Sequence, residues 1–171
     1  MAFRWKIMGA KTINGVIKNP FFTSKIIYNF VVGYNKNFDY RILYLVLPVV
    51  LDGNCREKLN GARKNSTIYS IFSSSKKYFD KINLDSKIDL YNIYSNNEEL
   101  ISTTNKSLII LYSKNVLGIT KSKDIFINSS IDDFQKCKNT GEKRYLKAAY
   151  YFGVILSKNS LDEFLELVKG A

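Results

Sequence analysis

The most apolar stretch of the chain, residues 40–51, reads Tyr-Arg-Ile-Leu-Tyr-Leu-Val-Leu-Pro-Val-Val-Leu and is apolar around its whole circumference. Such a segment must be enclosed by protein on every side, and it is too short to cross a bilayer, which takes about 20 apolar residues. It predicts a buried hub helix that bends or breaks near Leu47, because Pro48 lacks a backbone donor. A fully buried strand is the alternative, since short apolar runs are ambiguous. The structural hub consists of Leu45, Leu47, Pro48 and Leu51.

The pattern before the hub predicts one long helix. Asn19 and Pro20 have the chemistry of an N-cap and a first helical residue, and apolar residues then recur at helical spacing as far as Tyr34. Asp39 is predicted to cap the hub helix. Residues 1–18 contain no apolar block and are predicted to form a loosely held arm.

The pattern after the hub predicts a helix over 98–113, followed directly by short β-type runs at 117–120 and 125–128 with a turn at 121–124 between them. A helix followed by a hairpin, after two shorter helices, is the order of a winged-helix module. An ordinary helical domain with one added hairpin is the alternative. The inward stripe predicted for the 98–113 helix is Leu100, Ile101, Thr104, Leu108 and Leu111.

Three further helix starts are predicted from capping chemistry. Asn54 is expected to cap a short helix over 55–59, and Thr140 a strong helix that runs to Ser157. Residues 160–163 form a capping box, in which a Ser and a Glu three residues apart satisfy each other's backbone donors. The inward side of the Thr140 helix contains small residues that let a neighbour approach closely, namely Ala148, Ala149 and Gly153.

These patterns predict a mainly α protein, a single helical domain (1–171) around a buried hub helix, with a winged-helix-like middle that carries one short β-hairpin. The chain has two prolines and no Gly/Ser-rich linker, so no domain boundary is expected. The expected parts are the arm (1–18), N-terminal helices (19–60), the winged-helix-like part (61–130) and C-terminal helices (131–171).

The net charge of +11 admits two explanations. It is typical of a genome rich in Lys, Asn and Ile codons, and it is also typical of contact with nucleic acid or an acidic protein surface. Any DNA contact is predicted to be to phosphates and independent of sequence, because no interleaving of arginines and aromatics indicates base readout. The candidate contacts with DNA or an acidic partner are Arg56, Lys58, Arg63, Lys64, Lys121 and Lys123.

The residues that would carry catalysis are missing. The chain has no histidine, and its two cysteines, Cys55 and Cys137, lack the spacing of metal ligands. Adjacent carboxylates such as Asp132 and Asp133 point to different faces of a helix. No catalytic residue, metal ligand or cofactor is therefore predicted. Two isolated cysteines and the lack of a targeting segment predict a cytoplasmic protein with no membrane partner.

Several segments resemble the middle components of three-component ABC systems. They are N-P-F at 19–21, L-V-L-P-V-V-L at 45–51, R-E-K-L at 56–59 and the A-A to F-G segment at 148–153. The small subunit of Lamassu-type anti-phage defence belongs to this family. The resemblance implies a non-enzymatic accessory subunit that acts with an SMC/Rad50-like ATPase and an effector, often a nuclease, in bacterial defence against phage or plasmid DNA. The alternative is a stand-alone winged-helix DNA-binding regulator.

Overall fold

The computed structural model describes residues 15, 19–73, 98–160 and 162–164. Apart from Gly15, the predicted arm lies outside the described residues, as does the 74–97 portion of the middle region. The described part is mainly helical with a small antiparallel sheet, which confirms the predicted mainly α class, and the winged-helix-like middle stays a prediction. The helices are α1 (Pro20–Tyr34), α2 (Leu43–Leu51), α3 (Gly53–Asn60), α4 (Glu98–Ser113) and α5 (Thr140–Leu156), and the strands are β1 (Phe38–Asp39), β2 (Leu117–Ile119) and β3 (Asp124–Ile127).

The hub is a helix, so the strand alternative was wrong. A 3-10 turn (Tyr40–Ile42) leads into α2, and every α2 side chain except Tyr44 is buried. Helices α1, α3, α4 and α5 all contact α2, which explains why the segment is apolar on every side. Asp39 caps the 3-10 turn, because its side chain accepts a hydrogen bond from the Arg41 N–H at 2.8 Å. Pro48 lies inside α2, and the bend near Leu47 stays a prediction.

The most extensive helix packing is between α1 and α5, and it depends on two glycines. A β-carbon on Gly153 would lie closer than 3.0 Å to the Phe30 carbonyl and the Tyr34 nitrogen, and one on Gly33 would meet the backbone of Tyr150. The backbones therefore approach more closely than any larger residue allows. This confirms the expectation that the small residues of α5 admit a close neighbour.

Helix α3 begins earlier than predicted, and its cap is Asp52 rather than Asn54. Asp52 has extended backbone geometry (φ −64°, ψ 128°), and its carboxylate accepts a hydrogen bond from the Cys55 N–H at 2.7 Å. A carboxylate in this position satisfies one of the first free N–H groups of the helix. Asn54, which lies two residues further on, is already helical and exposed.

Helix α5 is likewise capped one residue earlier than predicted. The side-chain oxygen of Asn139 accepts hydrogen bonds from the N–H groups of Gly141 and Glu142, at 3.0 and 3.2 Å, and Thr140 is the first helical residue. The capping box at 160–163 is confirmed. Glu163 N–H donates to the Ser160 hydroxyl at 3.1 Å, and Ser160 N–H donates to the Glu163 carboxylate at 3.2 Å.

The predicted hairpin is present as β2 and β3, and it gains a third strand that the sequence pattern did not indicate. The strand order is β1-β3-β2, with Phe38 opposite Ile125 and Leu117 opposite Ile127. Strand β1 is only two residues long, so it has no alternation to detect. Its pairing fixes the hairpin beside the 3-10 turn, because the Tyr40 N–H also donates to the Lys123 carbonyl at 3.3 Å.

Helix α4 lies with one face on α1 and α2, but the predicted stripe was wrong at one position. Leu100, Thr104, Leu108 and Leu111 are buried, whereas Ile101 is 50% exposed. Successive helical residues are rotated by about 100°. A core face centred on Leu100 and Leu111 therefore turns Ile101 toward its edge.

Candidate interaction surface

Arg56, the first of the candidate contacts, is half-buried, and its guanidinium contacts neighbouring elements of the same chain. Its guanidinium donates hydrogen bonds to the carbonyls of Val50 and Leu51, at 3.1 and 2.9 Å, and lies 4.4 Å from the ring centroid of Tyr145. Carbonyls at a helix C-terminus lack intrahelical partners. Arg56 therefore closes the end of α2 and connects it to α5.

Three other candidates, Lys58, Arg63 and Lys64, are exposed on α3 and the loop after it. Cations from α5 and the residues just after it join this side of the molecule. Lys147 donates to the Asn60 carbonyl at 2.8 Å, and Lys158 donates to the carbonyls of Lys64 and Ser66. Arg144 also lies here but forms an ion pair with Glu57. We call Lys58, Arg63, Lys64, Lys147 and Lys158 the basic edge.

The remaining candidates, Lys121 and Lys123, are exposed at the hairpin turn. Lys123 has a left-handed backbone (φ 68°), and the turn is closed by Thr120 N–H donating to the Asp124 carbonyl at 2.9 Å. The hairpin is held against β1 and the 3-10 turn, whereas the basic edge is built on α3 and α5. The two groups of cations thus belong to separate elements.

Arg41 is a further cation beside the hairpin. It donates two side-chain hydrogen bonds to the Asp39 carboxylate, at 2.9 and 2.7 Å. These bonds hold the pKa of Asp39 below its usual value, and the charge of Lys123 contributes to the same shift. Asp39 therefore stays ionised and offsets part of the positive charge next to the turn.

The least expected surface feature is an exposed stripe on α4. Ile109 is 66% exposed and Ile101 is 50% exposed, and Asn105 lies between them. Residues three and four apart share one side of a helix. The same stripe includes exposed Glu98 and half-buried Tyr112. We call Glu98, Ile101, Asn105, Ile109 and Tyr112 the α4 flank.

The α4 flank is continuous with aromatic residues of the hub segment. The Tyr44 hydroxyl donates to the side-chain oxygen of Asn105 at 2.7 Å, and the rings of Tyr40 and Tyr44 meet edge to face at 6.5 Å between centroids. Of these side chains, the tyrosines are of a type enriched at protein–protein interfaces. The helical spacing of residues in α4 could have indicated this surface, but the sequence analysis assigned Ile101 to the buried stripe.

In the residues that the structure describes, no group of three or more His, Cys, Asp and Glu side chains is placed to hold a metal ion. Cys55 is buried and Cys137 is half-buried. No helix in the same described ranges is long and apolar enough to span a membrane. The candidate surfaces on the described part of the chain are the basic edge, the hairpin turn and the α4 flank.

Comparison with known proteins identifies the family of the chain. No curated protein and no solved structure matches it. A family model, described as the ABC-three component (ABC-3C) system Middle Component 3, matches residues 11–169. A middle component is an accessory subunit of a multi-component system, so its partners are other components of that system. Because the match spans nearly the whole chain, the protein belongs to the middle components of the ABC three-component systems.

Proposed function

We propose that this chain is a non-catalytic assembly subunit that bridges an SMC/Rad50-like ATPase and an effector nuclease in cytoplasmic defence against phage or plasmid DNA, as in Lamassu systems. The family match supports the accessory role and the three-component context. The Lamassu-like partners are what the sequence resemblance implies.

The observation that carries the proposal is the chemistry of the α4 flank. In a DNA-reading module of this helix-then-hairpin order, the helix before the hairpin enters the major groove and presents Arg, Lys, Asn or Gln to base edges. Helix α4 has one exposed cation, Lys106, and the α4 flank instead exposes Glu98, Ile101 and Ile109. The side-chain oxygen of Asn105 accepts a hydrogen bond from the Tyr44 hydroxyl. We therefore propose that the winged-helix-like part binds protein rather than reading DNA.

A stand-alone winged-helix regulator is the second candidate, and the hairpin favours it. Lys121, Lys123 and Arg41 place three cations around the turn, where a wing would meet phosphates. The α4 flank thus favours a protein partner and the hairpin turn favours DNA. Purification distinguishes the assembly subunit from the stand-alone regulator.

Co-expression with the products of the adjacent genes tests the proposal directly. We expect the chain to co-purify with an ATPase and an effector at fixed stoichiometry, measured by size exclusion with light scattering. A chain that elutes without these proteins yet binds one DNA sequence far better than others would contradict the assembly role and support the regulator.

The basic edge and the hairpin turn define a second, finer part of the proposal, namely contact with the DNA backbone or with an acidic partner surface. Reversal of Lys121 and Lys123 to Glu should reduce duplex affinity of the assembled complex. Each lost phosphate contact lowers the slope of log affinity against log salt by about one unit, so the double reversal should lower it by about two. The measurement is duplex binding across a salt series.

A matched control for this test reverses Lys25 and Lys138, which are exposed elsewhere, and so makes the same change in net charge. Wild-type affinity and slope in an intact hairpin variant would mean that the hairpin does not hold DNA. Dissociation of the complex by the hairpin variant alone would assign these lysines to a protein contact.

A further inference from the structure

The spacing of the α4 flank is symmetric about its middle residue, with isoleucines at the two inner positions and a carboxylate and a phenol at the two outer ones. Asn105 is the centre, Ile101 and Ile109 lie four residues to either side, and Glu98 and Tyr112 lie seven to either side. These spacings of three and four place all five side chains on one stripe. An antiparallel copy of the stripe would bring each residue opposite its counterpart.

We propose that two copies of this chain pair through antiparallel α4 flanks across a two-fold axis at Asn105. A two-fold interface uses the same patch on both subunits, so the patch must be complementary to itself. The flank meets that requirement at each of its five positions. The occupant of this surface is therefore a second copy of the chain.

The apolar contact would be between Ile101 of one copy and the partner's Ile109, repeated on the other side of the axis. Both side chains are at least half exposed in the single chain. Burial of these side chains supplies the hydrophobic contribution to the free energy of association, which has no directional requirement. Tyr44, half-buried beside Asn105, extends the apolar area on the hub side.

The amide at the axis would fix the register. Tyr44 donates to the side-chain oxygen of Asn105 at 2.7 Å, which orients the amide and leaves its NH₂ group for another acceptor. A carbonyl oxygen has two lone pairs, so each Asn105 can donate to the oxygen of the partner's Asn105. A single polar residue of this kind specifies register in paired helices.

At each end of the stripe, a hydrogen-bond acceptor of one copy would meet a donor of the other. The Glu98 carboxylate accepts, and the phenol of the partner's Tyr112 donates. Burial, together with neighbouring Tyr44, raises the pKa of Tyr112, so the phenol keeps its proton at neutral pH. The pairing goes beyond the assembly role and does not rest on it.

Two complementary substitutions test the pairing, Ile101→Lys and Ile109→Glu, with size exclusion and light scattering over a dilution series. The wild-type chain should be a dimer. Each variant alone should dimerise about 100-fold more weakly or worse, since it places an unpaired charge against Ile. An equimolar mixture should restore a heterodimer, because the introduced ammonium of one variant meets the introduced carboxylate of the other, while the second side of the axis keeps its Ile pair.

Lys106→Glu, on another side of α4, is the control and should leave the dimer intact. Circular dichroism establishes that each variant is folded. A wild-type monomer at every concentration, single variants that remain dimers, or a mixture of folded variants that stays monomeric would each overturn the pairing. Retained ATPase binding in any of these cases would leave the assembly role standing, and a dimer that binds no ATPase would overturn that role instead.

Discussion

Replacing Leu47 by Asp should abolish the folded protein. Leu47 is fully buried in α2, which four other helices contact. Removal of a buried Leu side chain costs about 2–5 kcal/mol, and an unpaired buried carboxylate adds several kcal/mol more. Domains of this kind are stable by only about 5–15 kcal/mol. We therefore expect insoluble or molten protein, measured by soluble yield and by thermal melting in circular dichroism.

Leu47→Met is the matched control, because it keeps the volume and apolar character of the side chain. Such exchanges cost less than about 1.5 kcal/mol, so this variant should stay soluble and melt cooperatively. A Leu47→Asp protein with wild-type melting would mean that α2 is not the centre of the core.

The hub could be predicted from sequence because its signal is contained in the segment itself. A run that is apolar on every side has to be enclosed by protein, and among the described elements α1, α3, α4 and α5 all pack on α2. The small residues of α5 gave a comparable signal, since Gly153 has few other uses in a helix interior. These predictions needed no knowledge of which element is the neighbour.

Features that depend on a particular neighbour were missed or misplaced. Strand β1 is defined by its pairing with β3, a segment far along the chain that places Ile125 opposite Phe38. Lys147 and Lys158 join the basic edge only because α5 lies beside α3. Their positions in the sequence, on a predicted helix and just past its end, carry no information about that juxtaposition.

The helix caps show a different limit. Asp52 and Asn54 have equivalent capping chemistry, as do Asn139 and Thr140. The choice between neighbours depends on which one has extended backbone geometry, and the preceding element decides that. The wrong prediction that Ile101 is buried has a similar origin. Ile101 directly follows buried Leu100 in α4, and the rotation between successive helical residues is enough to move a side chain from the core to the surface. The exposure of the α4 flank follows from this small rotation.

Substitution of Gly153 by Val should cause the second large loss of stability. A β-carbon there would overlap the backbone of α1 at the Phe30 carbonyl and the Tyr34 nitrogen, and backbone atoms cannot move aside as a side-chain tip can. Overpacked cores cost about 1–3 kcal/mol and occasionally more. Because this overlap forces apart the most extensive helix pair, we expect about 3 kcal/mol or more, which corresponds to a fall in Tm of roughly 6–12 °C.

Three glycine-to-alanine substitutions separate this overlap from a general effect of losing a glycine. Gly61→Ala places its β-carbon in ordinary contact at 3.5 Å, so its Tm should change little. Gly33→Ala touches the other side of the same crossing, at the backbone of Tyr150, and should be strongly destabilising. When Gly33→Ala is combined with Gly153→Ala, the loss should be smaller than the sum, because one separation of α1 from α5 relieves both overlaps. Strict additivity, or a Gly153→Val Tm equal to that of the wild type, would mean that the helices do not cross at these glycines.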